Sequence, residues 1–162
     1  LPADLVAGIV AEAHRQGMQV WAHSAVFPAT PAQVLAAGAD VVSHTCYMAY
    51  EAAGPMPASY QAKTPVDPAP FAKGDNPVMA GLFAEMVKRG ALLDPTMRVY
   101  VEGDRRAAKS GKPSQCTADL AAILTRQAWK AGVQMSTGTD VTTPPASPWS
   151  PRAPMPSASR KR

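Results

Sequence analysis

The chain has 162 residues, of which 46% are hydrophobic and 17% are charged, and its formal net charge is +4. This length suits one ordinary domain, and no apolar run approaches the roughly 18 residues of a membrane helix, so a soluble globular protein without a membrane span is expected. Residues 1–140 contain twelve Lys and Arg and all twelve Asp and Glu, so the excess positive charge lies in the remaining tail. A neutral body argues against a nucleic-acid-binding surface.

Two features of the sequence bear on its cellular location. Residues 1–4 include no initiator Met and do not begin the basic and apolar regions of a signal peptide, so this start is expected not to be the natural one. Cys46 and Cys116 lie far apart without CxxC spacing, which predicts free thiols in a reducing compartment and no disulfide. The cytoplasm is therefore the expected location.

Four units of helix, glycine and strand follow one another along the chain. The predicted helices end at Gly17, Gly38, Gly90 and Gly132, and the predicted strands cover residues 18–23, 39–44, 91–96 and 133–140. Prolines suited to a first helical turn stand at the starts of the first three helices. Thr30 and Gln33 form a capping-box pattern before the second helix, Asn76 starts the third, and Thr117 caps the fourth. Alternating helices and short apolar strands predict an α/β fold with a parallel sheet, in which the long segments 45–75 and 97–116 are loops covering a site.

Side chains that can bind a metal end three of these strands. His23 and His44 each lie six residues after the glycine of their unit, Thr96 takes that position in the third unit, and Asp140 follows Gly132 by eight residues. Because carboxyl ends of parallel strands meet at one edge, His23, His44 and Asp140 should share a face. Imidazole and carboxylate are ligands of catalytic zinc, whose bound water can attack a carbonyl. The alternative is that they are hydrogen-bonded strand-end residues and a loop carboxylate.

Three stretches resemble the amidohydrolase superfamily of metal-dependent hydrolases, in the branch similar to imidazolonepropionases and Xaa-Pro dipeptidases. They are AEAHRQGMQVWAH at residues 11–23, GADVVSH at residues 38–44 and GTD at residues 138–140. The resemblance runs from about residue 3 to about residue 143. It implies a partial TIM-type (β/α)8 barrel, of which this chain is the C-terminal half, with strands five, six and eight ending at His23, His44 and Asp140.

The resemblance also implies the chemistry. His23, His44 and Asp140 would be ligands of one or two divalent metal ions, with zinc preferred, and His44 would serve the second metal, or the substrate where only one ion binds. Asp140 would also act as general acid and base, taking a proton from the attacking water and passing it to the leaving nitrogen. The implied reaction is hydrolysis of an amide or cyclic amide C–N bond.

Tyr47, Tyr50 and Arg98 are candidate contacts for a small-molecule amide, dipeptide or cyclic amide substrate. Each also has a plainer interpretation, since loop tyrosines commonly cover apolar surface and Arg98 is expected in a solvated loop. Cys46 is interpreted as a small buried hydrophobe and His14 as a residue of a helix surface, outside the site.

The chain departs from the family pattern, because the His-x-His pair of strand one and the ligand of strand four are missing. Four strands cannot close a barrel, so the chain resembles a fragment that is weakly active or inactive alone. The alternative function is a non-catalytic half-barrel, either a remnant or a module that associates with a complementary half or in an oligomer.

The composition changes abruptly near the end of the chain. Residues 1–143 are assigned to the barrel half and residues 144–162 to a disordered tail rich in Pro, Ser and Arg. GC-rich DNA read out of frame often yields such a composition, so a loss of reading frame near residues 149–151 is hypothesised. The competing interpretation is that basic residues 160–162 contact nucleic acid or an acidic partner.

Overall fold

The structure is a computed structural model, and it describes residues 1–138 and 140, so the predicted tail 144–162 lies outside the described residues. Helices and parallel strands alternate along this part of the chain. The α-helices are α1 (Ala3–Arg15), α2 (Pro31–Ala36), α3 (Pro77–Arg89), α4 (Met97–Ser110) and α5 (Ala118–Lys130); the strands are β1 (Trp21–His23), β2 (Val41–Ser43) and β3 (Leu92–Asp94). Short 3₁₀ helices at Thr45–Glu51, Tyr60–Ala62 and Ala69–Phe71 occupy the long connection after β2.

Side-chain caps begin three of the α-helices where the sequence predicts them. Thr30 accepts a hydrogen bond from the Gln33 amide while the Gln33 side chain accepts one from the Thr30 amide, which completes a capping box before α2. Asn76 caps α3, and Thr117 accepts from the Leu120 amide at the start of α5. These caps are confirmed, and each satisfies amides that the first helical turn leaves without a partner.

The sheet has the order β1-β2-β3, and both strand pairs are parallel. The predicted fourth strand at 133–140 is wrong in its extent. Met135 forms only an isolated parallel bridge with Leu93, in which the Leu93 amide donates to the Gln134 carbonyl and the Ser136 amide donates to the Leu93 carbonyl, both at 2.9 Å. The described ladder ends after this pair of bonds, and Gly138 further along lies against the Asp94 side chain. The described residues are compatible with part of a barrel and do not form a closed one.

The segment 97–116 is largely helical, which corrects its prediction as a loop. Helix α4 buries Tyr100, and its charged residues include a Glu102–Arg105 ion pair of 2.8 Å. The helix is polar on average and only one of its 14 residues is buried, so the sequence analysis did not recognise it.

The two cysteines form a disulfide, which corrects the prediction of free thiols. Cys46 lies in the 3₁₀ helix after β2, Cys116 lies just before α5, and their Cα atoms are 6.0 Å apart despite a sequence separation of 70. Sequence spacing contains no information about this proximity, because the fold alone brings the two segments together. The argument from free thiols for a reducing compartment therefore lapses.

The core lies between the sheet and the helices and is centred on the 3₁₀ helix Thr45–Glu51, whose first six residues are buried. It includes the fully buried side chains Met48, Phe71, Met79, Phe83, Leu93 and Leu124. Within the described part of the chain, no helix is long and apolar enough to cross a membrane. The outer side of β1 is less well covered, and the Trp21 side chain there is 61% exposed.

Candidate functional site

The carboxyl ends of the three strands form one edge. Residues that lie six positions after the glycine of their unit are nevertheless not level with one another in the sheet. His23 is level with Ser43, and Ser43 is level with Asp94, so His44 and Thr96 follow one and two residues beyond this line. A cavity of about 280 Å³ opens at this edge. Its lining is Trp21, Ala22, His23, Ser43, His44, Asp94, Thr96 and Asp140. The three residues proposed as ligands from the sequence therefore face one cavity.

His44 is held in a fixed orientation. Its Nδ1 lies 2.9 Å from Thr96 Oγ1, and the Thr96 hydroxyl donates its single hydrogen to the Pro95 carbonyl at 2.8 Å. With its hydrogen directed to that carbonyl, Thr96 Oγ1 can accept from Nδ1–H, and in this tautomer the lone pair of Nε2 faces the cavity. Burial, followed by the nearby His23, lowers the pKa of His44 to about 4. The ring is neutral at physiological pH, as a metal ligand must be.

Asp140 lies opposite this nitrogen. Its Oδ2 is 3.8 Å from His44 Nε2, too far for a hydrogen bond, and its side chain is 54% exposed. A cation about 2.0–2.2 Å from each of the two atoms would fit between them. The backbone of Asp140 has φ 46°, and that of His44 has φ 74°, an uncommon left-handed conformation for residues other than glycine. Strained backbone of this kind is concentrated at functional sites.

His23 lies near His44 and Asp140 but does not form a closed set of metal ligands with them. Its ring centroid is 4.5 Å from that of His44, at an interplanar angle of 63°, and the side chain is exposed. Among the residues that the structure describes, no group of three His, Cys, Asp or Glu side chains is close enough to hold a metal ion. The pair of His44 and Asp140 fits a divalent metal, and a third ligand is not in place.

Asp94 is a site residue that the sequence analysis missed. It is buried, its Oδ2 accepts from the Ser43 hydroxyl at 3.4 Å, and its Oδ1 accepts from the Thr96 amide at 3.2 Å. The Ser43 hydroxyl in turn accepts from Trp21 Nε1 at 2.6 Å. The glycine spacing pointed to Thr96 instead. The apolar run Leu92-Leu93 ending in a carboxylate was the signal that could have found Asp94.

Gly138 packs directly against Asp94. A Cβ atom at this position would lie 2.8 Å from both Cγ and Oδ1 of Asp94 and would overlap its Oδ2. Only a residue without a side chain allows the chain to pass this close to the carboxylate. Gly138 therefore fixes the distance between the end of β3 and the segment that carries Asp140.

The three candidate substrate contacts lie in different surroundings. Tyr47 is buried beside the site, with its ring centroid 5.3 Å from that of His44. The Tyr50 hydroxyl donates to the Thr64 carbonyl and accepts from Gln115 Nε2 at 3.1 Å, so it joins loop segments. Arg98 lies in the first turn of α4 and does not line the 280 Å³ cavity.

Similarity to solved structures is confined to the fold. A crystal structure of an amidohydrolase matches 87% of this chain at 23% identity with a TM-score of 0.54, and the match covers 28% of that structure. A Xaa-Pro dipeptidase with bound methionine in its active site matches 87% of the chain at 18% identity and TM-score 0.46, covering 29% of its own length. An uncharacterized protein matches 86% at 22% identity and TM-score 0.47, covering 28%.

No protein-family model and no curated protein matches the chain. The first of these matches shows that most of the chain shares its fold with part of that structure. The chain spans less than a third of the length of each of the three structures.

Proposed function

We propose that the chain is part of a metal-dependent hydrolase that cleaves amide or cyclic amide C–N bonds. The observation that carries this proposal is the pair of His44 and Asp140, whose Nε2 and Oδ2 atoms face each other at 3.8 Å across the strand-end cavity. The fold of part of an amidohydrolase supports it. The resemblance of residues 11–23, 38–44 and 138–140 to that superfamily supplies the reaction type.

His44 and Asp140 would hold the metal, with His23 approaching from the neighbouring strand. A divalent ion such as zinc would polarise the substrate carbonyl and make a bound water acidic enough to react near neutral pH. Because a third ligand is not in place among the described residues, we expect a weakly held metal and little or no turnover by this chain alone.

The side chains have separate tasks in this proposal. Asp140, which is half-exposed, takes the proton of the attacking water and passes it to the leaving nitrogen. His44 stays neutral and presents Nε2 because Thr96 holds its Nδ1 proton. Asp94 accepts hydrogen bonds from Ser43 and Thr96, and it thereby positions the strand ends.

Cobalt titration followed by visible absorption tests the metal site directly. We expect one weak site in the 162-residue chain, with His44→Ala and Asp140→Asn each weakening it by roughly tenfold or more. His14→Asn is the matched control, because His14 pairs with Asp40 at 2.9 Å away from the site. Equal affinity in all four proteins, or no binding by any, would contradict the proposal. A metal-loaded chain that hydrolyses dipeptides rapidly would contradict the expected low turnover.

A specific observation favours the second candidate, a non-catalytic half-barrel that associates with a complementary half. An apolar cavity of about 550 Å³ lies along the outer side of β1, between Ile9, Trp21 and Phe27. Ile9 is 48% exposed there. A parallel strand and helix from a complementary half would cover this surface.

Sedimentation of the chain at increasing concentration tests this candidate. Two results together would favour the half-barrel over the hydrolase. The wild-type chain would associate while Ile9→Lys does not, and the chain would bind no cobalt. A monomer at every concentration would count against self-association, and co-expression with a candidate complementary half would then decide between a module and a remnant.

A further inference from the structure

Helix α4 has one buried residue, Tyr100, and it joins this helix to the segment that follows β2. The Tyr100 hydroxyl oxygen accepts a hydrogen bond of 3.2 Å from the amide of Cys46, which lies two residues beyond His44. A tyrosine hydroxyl also has one hydrogen to donate, and a buried donor needs an acceptor. Since only 4% of Tyr100 is exposed, that acceptor is expected within the protein.

Thr96 is the acceptor within reach. It lies one helical turn before Tyr100, and long side chains of a helix point back towards its N-terminus. Burial raises the pKa of Tyr100, and hydrogen bonds with the Cys46 amide and the Thr96 side chain offset part of this rise. Thr96 Oγ1 has two lone pairs and one hydrogen. The hydrogen goes to the Pro95 carbonyl at 2.8 Å, and His44 Nδ1 lies 2.9 Å away, so one lone pair remains for Tyr100.

These contacts form a buried hydrogen-bond network with a consistent direction. It runs from the Cys46 amide through the Tyr100 and Thr96 hydroxyls to the Pro95 carbonyl, and the imidazole of His44 joins it at Thr96. In this direction the Thr96 hydrogen points away from the imidazole, and both lone pairs of the Thr96 oxygen accept. Nδ1 then carries the imidazole proton. The network therefore favours one of the two neutral tautomers of His44.

The choice of tautomer matters because the two forms present opposite properties to the strand-end cavity. With the proton on Nδ1, the lone pair of Nε2 can bind a divalent ion that Asp140 Oδ2 also faces, 3.8 Å away. With the proton on Nε2, the same position would hold an N–H group, which repels a cation. Hydrogen bonds to the nitrogen that does not bind the metal commonly fix the tautomer of a histidine ligand.

We propose that Tyr100 is a positioning residue, whose hydroxyl donates to Thr96 and thereby sets the tautomer of His44 that leaves Nε2 free for a metal. The part that concerns the metal rests on the proposed hydrolase function, whereas the effect on the tautomer does not. The tautomer can be measured without any metal, so the two proposals fail separately.

Nitrogen-15 NMR of the metal-free 162-residue chain near pH 7 tests the effect on the tautomer. Protonated and unprotonated ring nitrogens differ strongly in chemical shift, and the chain has only three histidines, so His44→Ala assigns the signals of interest. We expect the wild type to carry the proton on Nδ1. Tyr100→Phe keeps the ring and removes the hydroxyl, and it should give a mixture of both tautomers.

Tyr50→Phe is the matched control for this experiment. Tyr50 is also buried, and its hydroxyl bonds to the Thr64 carbonyl and to Gln115 Nε2, so the change removes a comparable pair of hydrogen bonds between loop segments. It should leave the His44 signals as in the wild type. Wild-type His44 signals in Tyr100→Phe, or a wild type that carries its proton on Nε2, would overturn the proposal.

A double-mutant cycle on cobalt affinity shows whether Tyr100 acts through Thr96. Tyr100→Phe should weaken cobalt binding roughly tenfold and should add nothing in a Thr96→Val background, where the acceptor is already missing. Effects that multiply in the double variant would show a merely structural contribution and overturn the proposal, and urea denaturation of all four proteins checks that they fold. If no form of the chain binds cobalt, the hydrolase function fails, and the NMR result still decides the role of Tyr100.

Discussion

His44 Nδ1 lies 2.9 Å from Thr96 Oγ1, and this hydrogen bond determines which imidazole nitrogen faces the strand-end cavity. Both residues have a left-handed backbone, with φ 74° for His44 and 49° for Thr96. Such conformations cost on the order of 1–3 kcal/mol each in non-glycine residues and persist where the surroundings hold them. The pair thus stores strain at the point where two strand ends meet.

Thr96→Val should weaken metal binding by roughly 10–100-fold, because the side chain keeps its shape and loses the acceptor that orients His44. Thr96→Ser keeps the hydroxyl and should bind cobalt within a few-fold of the wild type. Cobalt titration of both variants checks the expectation. Wild-type affinity in Thr96→Val would show that Thr96 has no part in positioning the imidazole.

Gly138→Ala should destabilise the fold by roughly 1–3 kcal/mol, because the new methyl group would overlap the Asp94 carboxylate. Gly8→Ala is the matched control, since a Cβ at Gly8 in α1 meets nothing within 4 Å. That change should stabilise the chain by about 0.5–1 kcal/mol, as alanine favours a helix over glycine. Urea denaturation measures both, and equal effects would contradict the close approach of Gly138 to Asp94.

Removing the disulfide with Cys46→Ser/Cys116→Ser should lower the free energy of unfolding by about 2–5 kcal/mol. The bridge closes a long loop, with a sequence separation of 70, and so restricts the unfolded chain. Urea denaturation with and without a reducing agent gives the value, and the variant should not respond to the reducing agent. Alkylation of the unreduced, denatured wild type checks that both thiols are bonded; two modified cysteines would show that the bridge is absent.

Asp40→Asn should remove a pH-dependent part of the stability. The Asp40 carboxylate accepts from the Val20 amide at 2.7 Å and from His14 Nε2 at 2.9 Å. Both hydrogen bonds lower the pKa of Asp40, and the bond from the Val20 amide has the larger effect. Because the folded chain favours the ionised form, the stabilisation is complete above the ordinary pKa of about 3.9 and is lost as the pH falls through the lower folded value.

Urea denaturation between about pH 7 and pH 2.5 measures this difference. We expect the free energy of unfolding of the wild type to exceed that of Asp40→Asn by a constant amount near neutral pH. This difference should become smaller in acid. Asp75→Asn is the control, because Asp75 is exposed and has no hydrogen bond or ion pair within residues 1–138 and 140. A gap that is the same at every pH would contradict the charge-dependent role of Asp40.

Local sequence signals predicted much of the fold correctly. Thr30 with Gln33, Asn76 and Thr117 mark helix starts through side chains that bond amides a few residues away, so their effect is visible in a short window. Helix α4 was not recognised because it is polar on average and buries only Tyr100. The strand at 133–140 was overextended because an apolar run does not reveal where its pairing partner ends.

The sequence by itself determined four of the five α-helices, the order of the three parallel strands, and the positions of His23 and His44 at or just after strand ends, because these follow from local periodicity and from the chirality of the chain. Only the tertiary structure decided that Asp94 is level with His23, that Gly138 packs on that carboxylate, and that Cys46 meets Cys116. It also gathered Lys63, Arg106 and Lys112 around one cavity. These contacts join residues dozens of positions apart, and their distances depend on strand stagger and helix packing, which no local pattern specifies.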